Sequence, residues 1–317
     1  MSRSERLIPL SPVKFANPDV TADGEPRAHV SITSLRTLWF NTGTLCNLSC
    51  ENCYIESTPR NDRLVYLTPA EARSYLDEIE TLGLPTEEIG ITGGEPFMNP
   101  DILDIIGDSL RAGYRTLVLT NAMRPMMKLE HGLTSLREAF GDRLTLRVSV
   151  DHYERKLHEE ERGPRSWKPM LAGLQWLAQE GFKVHVAGRL RWDDDESRMR
   201  DGFAAFFAEH EIPIDAHDPV ALVLFPEMDE RADVAEITTA CWDILGKRPE
   251  DVMCASSRMV IKRKGEARPV VVSCTLLPYD QQFQMGHTLR DALGPVKLNH
   301  VHCAKFCVLG GASCSPD

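Results

Sequence analysis

The chain has no continuous apolar run of the roughly 20 residues that a membrane-spanning helix needs. Its first residues, "MSRSERLIPLSPVKFANPDV", contain no apolar stretch of the kind that directs secretion, so the expected compartment is the cytoplasm. Basic residues are in deficit: 36 Lys and Arg stand against 47 Asp and Glu, for a formal net charge of -11. An acidic surface repels phosphate backbones, which argues against general nucleic-acid binding. No repeat of solenoid type runs along the sequence. Cysteine is absent from about 190 consecutive residues, between Cys53 and Cys241. What remains is a soluble globular profile, 42% apolar and 26% charged. At 317 residues, one large α/β domain plus a smaller one is the expected organisation.

The nine cysteines are placed unevenly, with three at 46, 50 and 53 and six at 241, 254, 274, 303, 307 and 314. In a reducing compartment, thiols grouped this way point to metal binding or catalysis rather than to disulfides. The long gap implies two separate thiol sites.

Strand-like and helix-like segments alternate between them. Strands are expected at 35–41, 88–92, 116–120, 144–150, 183–188 and 219–225. Helices are expected at 68–83, 100–113, 129–141, 167–181 and 196–210. Six strands alternating with helices imply parallel βαβ units, as a doubly wound sheet or a barrel-like curve. In either case the site lies beyond the carboxyl ends of the strands. The conspicuous polar residues fall there. The cysteine loop follows the first strand, "GGEP" (93–96) the second, and Thr120 and Asn121 the third. Ser149 and Asp151 close the fourth, and Arg189 follows the fifth. The acidic run at 191–197 reads as a solvated loop.

Three thiolates on one loop can hold three irons of a cubic [4Fe–4S] cluster, leaving the fourth iron open to a small molecule. Two alternatives exist for the same spacing. Offsets of four and seven lie on one face of a helix, but Asn47, Ser49, Glu51 and Asn52 suit a buried helix poorly. Zinc is the other.

"CNLSCENC" (46–53) matches the CxxxCxxC motif of the radical S-adenosylmethionine (SAM) superfamily, and "GGEP" resembles its second signature at the expected place. The resemblance covers about residues 35 to 225. It implies a partial (β/α)6 TIM-type barrel, with Cys46, Cys50 and Cys53 holding the cluster. It also implies that Gly93, Gly94 and Glu95 receive the amino group of SAM, a role that suits glycines, whose backbone can be approached closely, and a carboxylate. Ser149 and Asp151 would face the ribose and carboxylate of SAM, with weaker support for Thr120 and Asn121. Arg189 would pair with the SAM carboxylate. One departure is visible: many members carry an aromatic residue just before the third cysteine, where this chain has Asn52 and places Tyr54 after it.

The C-terminal third carries the second thiol site. "RMVIKRKGEARPVVVS" (258–273) reads as two strands around a turn, a β-hairpin that brings Cys254 and Cys274 together. Cys303, Cys307 and Cys314 follow. This small cysteine-rich extension is similar to the twitch or SPASM-like regions that bind an auxiliary cluster in radical SAM enzymes. The expected ligands are Cys254, Cys274, Cys303 and Cys307, with Cys314 as substitute. A zinc site on His300, His302, Cys303 and Cys307 is the rival. Cys241 reads as a buried helix cysteine. The expected division is an extension over 1–34, a barrel over 35–230 and the auxiliary region over 231–317.

By resemblance, the function is reductive cleavage of SAM to a 5′-deoxyadenosyl radical that abstracts a hydrogen atom from a substrate. A flavodoxin or ferredoxin would supply the electron. A small-molecule substrate is preferred to a peptide, because only about 35 residues precede the barrel. A non-enzymatic iron–sulfur carrier or sensor is the alternative class, but it has no need for a methionine-binding edge.

Overall fold

The computed structural model describes residues 9–192, 195–227 and 229–313. Its strands are β1 (His29–Val30), β2 (Thr37–Asn41), β3 (Glu88–Thr92), β4 (Arg115–Thr120), β5 (Leu144–Asp151), β6 (Lys183–Leu190), β7 (Leu222–Pro226), β8 (Ser257–Ile261), β9 (Val270–Val272), β10 (Gln284–Gly286) and β11 (Val296–Lys297). Its α-helices are α1 (Pro69–Leu82), α2 (Ile102–Arg111), α3 (Arg124–Met127), α4 (Glu130–Phe140), α5 (Arg155–Arg162), α6 (Trp167–Gln179), α7 (Glu196–Glu209) and α8 (Cys241–Leu245).

Strands β2 to β7 lie side by side in sequence order and all run parallel. A doubly wound sheet would reverse its order part-way. A sheet wound in one direction keeps its crossover helices on one face and curves, giving the partial barrel. Alternating residues accordingly enter two different cores. Leu38, Phe40 and Val118 pack in the outer layer with Ile79, Ile105 and Leu174 of the helices. Trp39, Leu117 and Met259 point inward, where they meet Val252, Leu276 and Phe306 of the C-terminal third. Gly90 is required on this inner side, since a Cβ there would stand 2.4 Å from the Trp39 ring.

Local chemistry accounts for the helix boundaries. Thr68 and Glu71 form a capping box around Pro69, and Gly83 closes α1 in the left-handed conformation at φ 60°. The expected helices lie within one to two residues of the observed ends. The sixth strand begins at Leu222, later than the expected residue 219. Helix α5 has no counterpart among the expected elements.

The expected hairpin forms, with β8 and β9 antiparallel. Strand β8 also pairs in parallel with β2, so the sheet continues as β10-β9-β8-β2 across the expected boundary at 230. The segment before β2 packs on the same C-terminal third. β1 pairs with β11, and Arg27 forms a buried 2.5 Å ion pair with Glu236.

Candidate functional site

A cavity opens beyond the carboxyl ends of β3 to β7. It is lined by Cys46, Cys50 and Cys53, by Thr92, Gly93, Gly94 and Asn121, and by Ser149, Asp151, Arg162 and Arg189. Counting its open mouth, it holds about 1090 Å³ of atom-free space.

The cysteine loop is stitched to its neighbours by backbone. Cys46 N–H donates to the Thr58 carbonyl at 3.1 Å. On the other side, Gly94 N–H donates to Gly43 O at 2.9 Å and Glu95 N–H to Leu45 O at 3.1 Å. This contact explains the two glycines. A Cβ on Gly94 would stand 2.4 Å from Leu45 O and 2.6 Å from Thr44 O, and one on Gly93 2.5 Å from Gly43 O. Gly93 also has φ 154°. The pair lets the second loop lie directly against the first.

The three thiols fit an iron–sulfur cluster by their surroundings. Leu48 N–H points at Cys46 Sγ from 3.4 Å and Ser57 N–H at Cys53 Sγ from 3.3 Å, and such bonds stabilise thiolate sulfur. Burial pushes the Cys46 thiol up to about 12, and burial also raises Cys50 against the pull of Arg162. Thiols in such a place ionise readily only on binding a metal. Among the described residues, no three His, Cys, Asp or Glu side chains converge as the ligands of a single metal ion would. Thiols arranged around a cavity suit a polynuclear cluster, in which each binds its own iron.

Glu95 lies away from the cavity. Its carboxylate is 2% exposed and accepts hydrogen bonds from Thr120 Oγ1 (2.9 Å), Asn121 N (2.8 Å) and Phe97 N (3.2 Å). Thr120 is thereby committed to Glu95. Asn121 reaches the cysteine loop, donating to Asn47 Oδ1 at 2.9 Å.

A set of buried charges closes the opposite rim. Asp151 follows a register shift in β5 and has φ 63°, a conformation Asp tolerates better than most residues. It pairs with Arg162 at 2.5 Å and Arg189 at 3.2 Å. Burial favours the neutral acid, but the two guanidinium groups outweigh it and hold Asp151 below its ordinary pKa. Arg189 also donates to the Asn52 carbonyl at 3.1 Å. Glu161 is fully buried and accepts from Asn52 N (3.1 Å), Asn52 Nδ2 (2.8 Å) and Arg191 (2.7 Å). Asn52, in the place where an aromatic residue is common, is thus the point at which α5 holds the cysteine loop. Arg191, expected in a solvated run, is engaged here, while residues 193 and 194 of that run lie outside the described residues.

The second thiol group also assembles. Cys254, Cys274, Cys303 and Cys307 line one cavity with His302 and Leu276. Cys303 and Cys307 lie on a π-type helix, Cys303–Leu309. Burial pushes Cys254 up to about 12 and Cys303 well above its ordinary value. Arg258, fully buried, donates to the carbonyls of Cys254 (2.6 Å), Ser257 (2.7 Å), Ala292 (2.7 Å) and Gly294 (3.1 Å) and so fixes Cys254. Of the rival zinc set, His302, Cys303 and Cys307 line this cavity, His302 Nε2 faces Glu230 at 2.7 Å, and the His300 ring centroid lies 5.0 Å from that of His302. Cys314 lies outside the described residues. Cys241 does lie in a helix, as the first residue of α8, but it is half-buried rather than buried, and its sulfur accepts from Thr238 N–H.

Arg147, Arg162, Phe225 and Phe306 were not singled out by the sequence, yet all four line the first cavity. Arg162 and Glu161 sit in "KLHEEER", whose polar character hid a buried helix face.

Residues 40–190 match the model of the Radical SAM superfamily. An AdoMet-dependent heme synthase of Methanosarcina barkeri is 31% identical over 145 residues, which cover 44% of this chain and 38% of the relative. The antilisterial bacteriocin subtilosin biosynthesis protein AlbA of Bacillus subtilis is 25% identical over 265 residues, 78% of this chain and 56% of AlbA. The chain therefore spans about two fifths to a little over half of these relatives. SuiB of Streptococcus suis bound to S-adenosylmethionine shares the fold, with TM-score 0.58, 15% identity, and coverage of 83% of this chain and 65% of SuiB. With a cysteine loop, a glycine edge and a curved parallel sheet arranged around one cavity, residues 40–190 of this chain carry a radical SAM domain.

Proposed function

We propose that the chain is a radical SAM enzyme. The observation that carries this reading is the single cavity shared by Cys46, Cys50 and Cys53 with the Gly93–Gly94 edge. The three cysteines would hold a [4Fe–4S] cluster. When bound and reduced, the cluster supplies the electron that cleaves SAM to methionine and a 5′-deoxyadenosyl radical, which takes a hydrogen atom from the substrate. The protein's part is orientation and exclusion. Gly93 and Gly94 leave backbone open to the SAM amino group. Ser149, Asp151, Arg162 and Arg189 present polar and charged groups for the ribose and carboxylate. Glu95 supports this edge from behind by fixing Thr120 and Asn121.

Cys254, Cys274, Cys303 and Cys307 would hold an auxiliary [4Fe–4S] cluster within residues 231–317. Leu276 lines both cavities, and Phe306 lies between Cys303 and Cys307 in sequence while lining the first cavity. The second site therefore stands directly behind the wall of the first. An electron donor of flavodoxin or ferredoxin type completes the system. A small molecule is the preferred substrate. A peptide is the second reading, favoured by the likeness to AlbA over 78% of this chain.

Anaerobic reconstitution tests both sites. Dithionite-reduced wild type is expected to form 5′-deoxyadenosine and to carry about eight irons, four per cubic cluster. A Cys46→Ala, Cys50→Ala, Cys53→Ala variant is expected to keep about four irons and to lose the product. Comparable product from the variant would refute the catalytic assignment. Zinc in place of iron in the variant would refute the auxiliary cluster.

A further inference from the structure

The second thiol cavity holds a group that the cysteine pattern does not account for. His302, 2% exposed, lines it beside the four cysteines. Its Nε2 faces Glu230 Oε1 at 2.7 Å. The Glu230 side chain is 58% exposed, so this contact holds the outward edge of the ring. The other ring nitrogen, Nδ1, is buried and has no hydrogen-bond partner. Ser273 Oγ, on a residue 2% exposed, is in the same condition and lines the same cavity. Further walls are apolar, among them Met253, Phe283 and Leu298. A buried polar atom without a partner costs stability unless something in the cavity satisfies it.

The surroundings of His302 are those of a metal-ligating histidine. Such residues donate one ring N–H to a carboxylate and bind through the other nitrogen. With the proton on Nε2, shared with Glu230, the lone pair is left on Nδ1. The carboxylate also makes that nitrogen a better electron donor. His300 differs: its Nδ1 is already engaged, accepting from the His302 backbone N–H at 3.1 Å.

We propose that His302 binds an iron of the auxiliary cluster through Nδ1, with Glu230 as the residue that positions it. This rests on the auxiliary-cluster reading of the cavity and changes its ligand set. Cys254, Cys274, Cys303, Cys307 and His302 together offer five ligand atoms to a cubic cluster of four irons. One cysteine therefore stands in reserve. Imidazole is a neutral ligand where thiolate is an anion. The exchange lowers the negative charge of the cluster and raises its reduction potential, as histidine does in Rieske centres.

The test uses the full-length Cys46→Ala, Cys50→Ala, Cys53→Ala variant, whose first site lacks its ligands. It is grown with ¹⁵N-histidine, reconstituted anaerobically and reduced. Pulsed electron paramagnetic resonance then reads nitrogen bonded to iron. A strong ¹⁵N coupling is expected, and it is expected to vanish when His302→Ala is added. No coupling, only the weak coupling of a hydrogen bond to sulfur, or a strong coupling that persists in His302→Ala each overturns the proposal. Glu230→Gln supplies a second measurement. Without the carboxylate Nδ1 is a poorer donor, so the midpoint potential of the cluster is expected to rise. An unchanged or lower potential overturns the positioning role. If His302→Ala does not load iron, the labelled parent and Glu230→Gln decide. Iron and zinc are counted in the same samples. About four irons without strong nitrogen coupling would remove only the histidine ligand, whereas zinc or no metal would remove the auxiliary-cluster reading itself.

Discussion

Glu161→Gln should loosen the cysteine loop. Glu161 is fully buried on α5 and receives two hydrogen bonds from Asn52 and one from Arg191, with Arg189 at 3.6 Å. The substitution keeps the shape but removes the charge, and it sets an amide NH₂ against donors. Each hydrogen bond to a charged group contributes about 1.5–3 kcal/mol, and removing one partner from a buried ionic network costs about 3–5 kcal/mol. The expected loss of stability is therefore about 3–5 kcal/mol. Asn52→Ala removes the Nδ2 bond and keeps the backbone N–H bond, and should cost about 1–2 kcal/mol. Because the two residues touch, the double variant should lose less than the sum, by about 1 kcal/mol or more. Urea unfolding of the four apo proteins measures the cycle, and the rate of iron loss to a chelator follows the loop in the loaded proteins. Additivity within about 0.5 kcal/mol, with unchanged iron loss, would show that Glu161 and Asn52 act independently and that α5 does not hold the loop.

Glu95 gives a pH dependence. Burial lifts its pKa from 4.5 to about 7, so the folded chain keeps a proton that the unfolded chain releases at lower pH. Stability from this group is present below pH 4.5 and is lost as pH rises through about 7, by about 3 kcal/mol. Urea unfolding of apo wild type at pH 5 and pH 8 should show this loss relative to Glu95→Gln; parallel pH profiles would contradict it. Gly94→Ala places a methyl group 2.4 Å from the Leu45 carbonyl oxygen, where only backbone movement can relieve the contact. It should destabilise by about 1–3 kcal/mol and impair cluster loading at the first site. A wild-type melting temperature with full iron content would show that the two loops are not packed as described.

The alternation of strands and helices was legible because each strand carried β-rich apolar residues and each helix a cap or glycine stop, as at Thr68 and Gly83. The curvature was legible only through the family resemblance of the cysteine and glycine motifs: it follows from the neighbour order of β2 to β7, which no single segment encodes. Cys46, Cys50 and Cys53 announced themselves because thiols are scarce between 54 and 240. Arg147 did not, since inside "LTLRVSV" it resembles the outward polar position of a strand with one wet face. Only the lumen of a curved sheet turns that position into an interior one. Glu161 and Arg162 were hidden for a similar reason. A short helix of low hydrophobicity reads as solvent-facing, yet their charges are buried because each has a partner from another element. Glu95 shows the converse: its motif was visible, but its side chain points towards β4 and not into the cavity.

The pairing of β2 with β8 bears on the order of assembly. Thr37 lies beside Ser257, so the strand that leads into the first cysteine loop exposes an unpaired edge until residues 257–261 have been made. This contact joins segments far apart in sequence, and such contacts form late because a long loop must first close. A growing chain therefore presents Cys46, Cys50 and Cys53 on an open sheet well before the inner core with Met259 and Phe306 can form. Cluster insertion into the nascent barrel would meet a site still open on one side. Completion of the C-terminal hairpin then seals that edge and encloses the first cluster loop and the second thiol group in one continuous sheet.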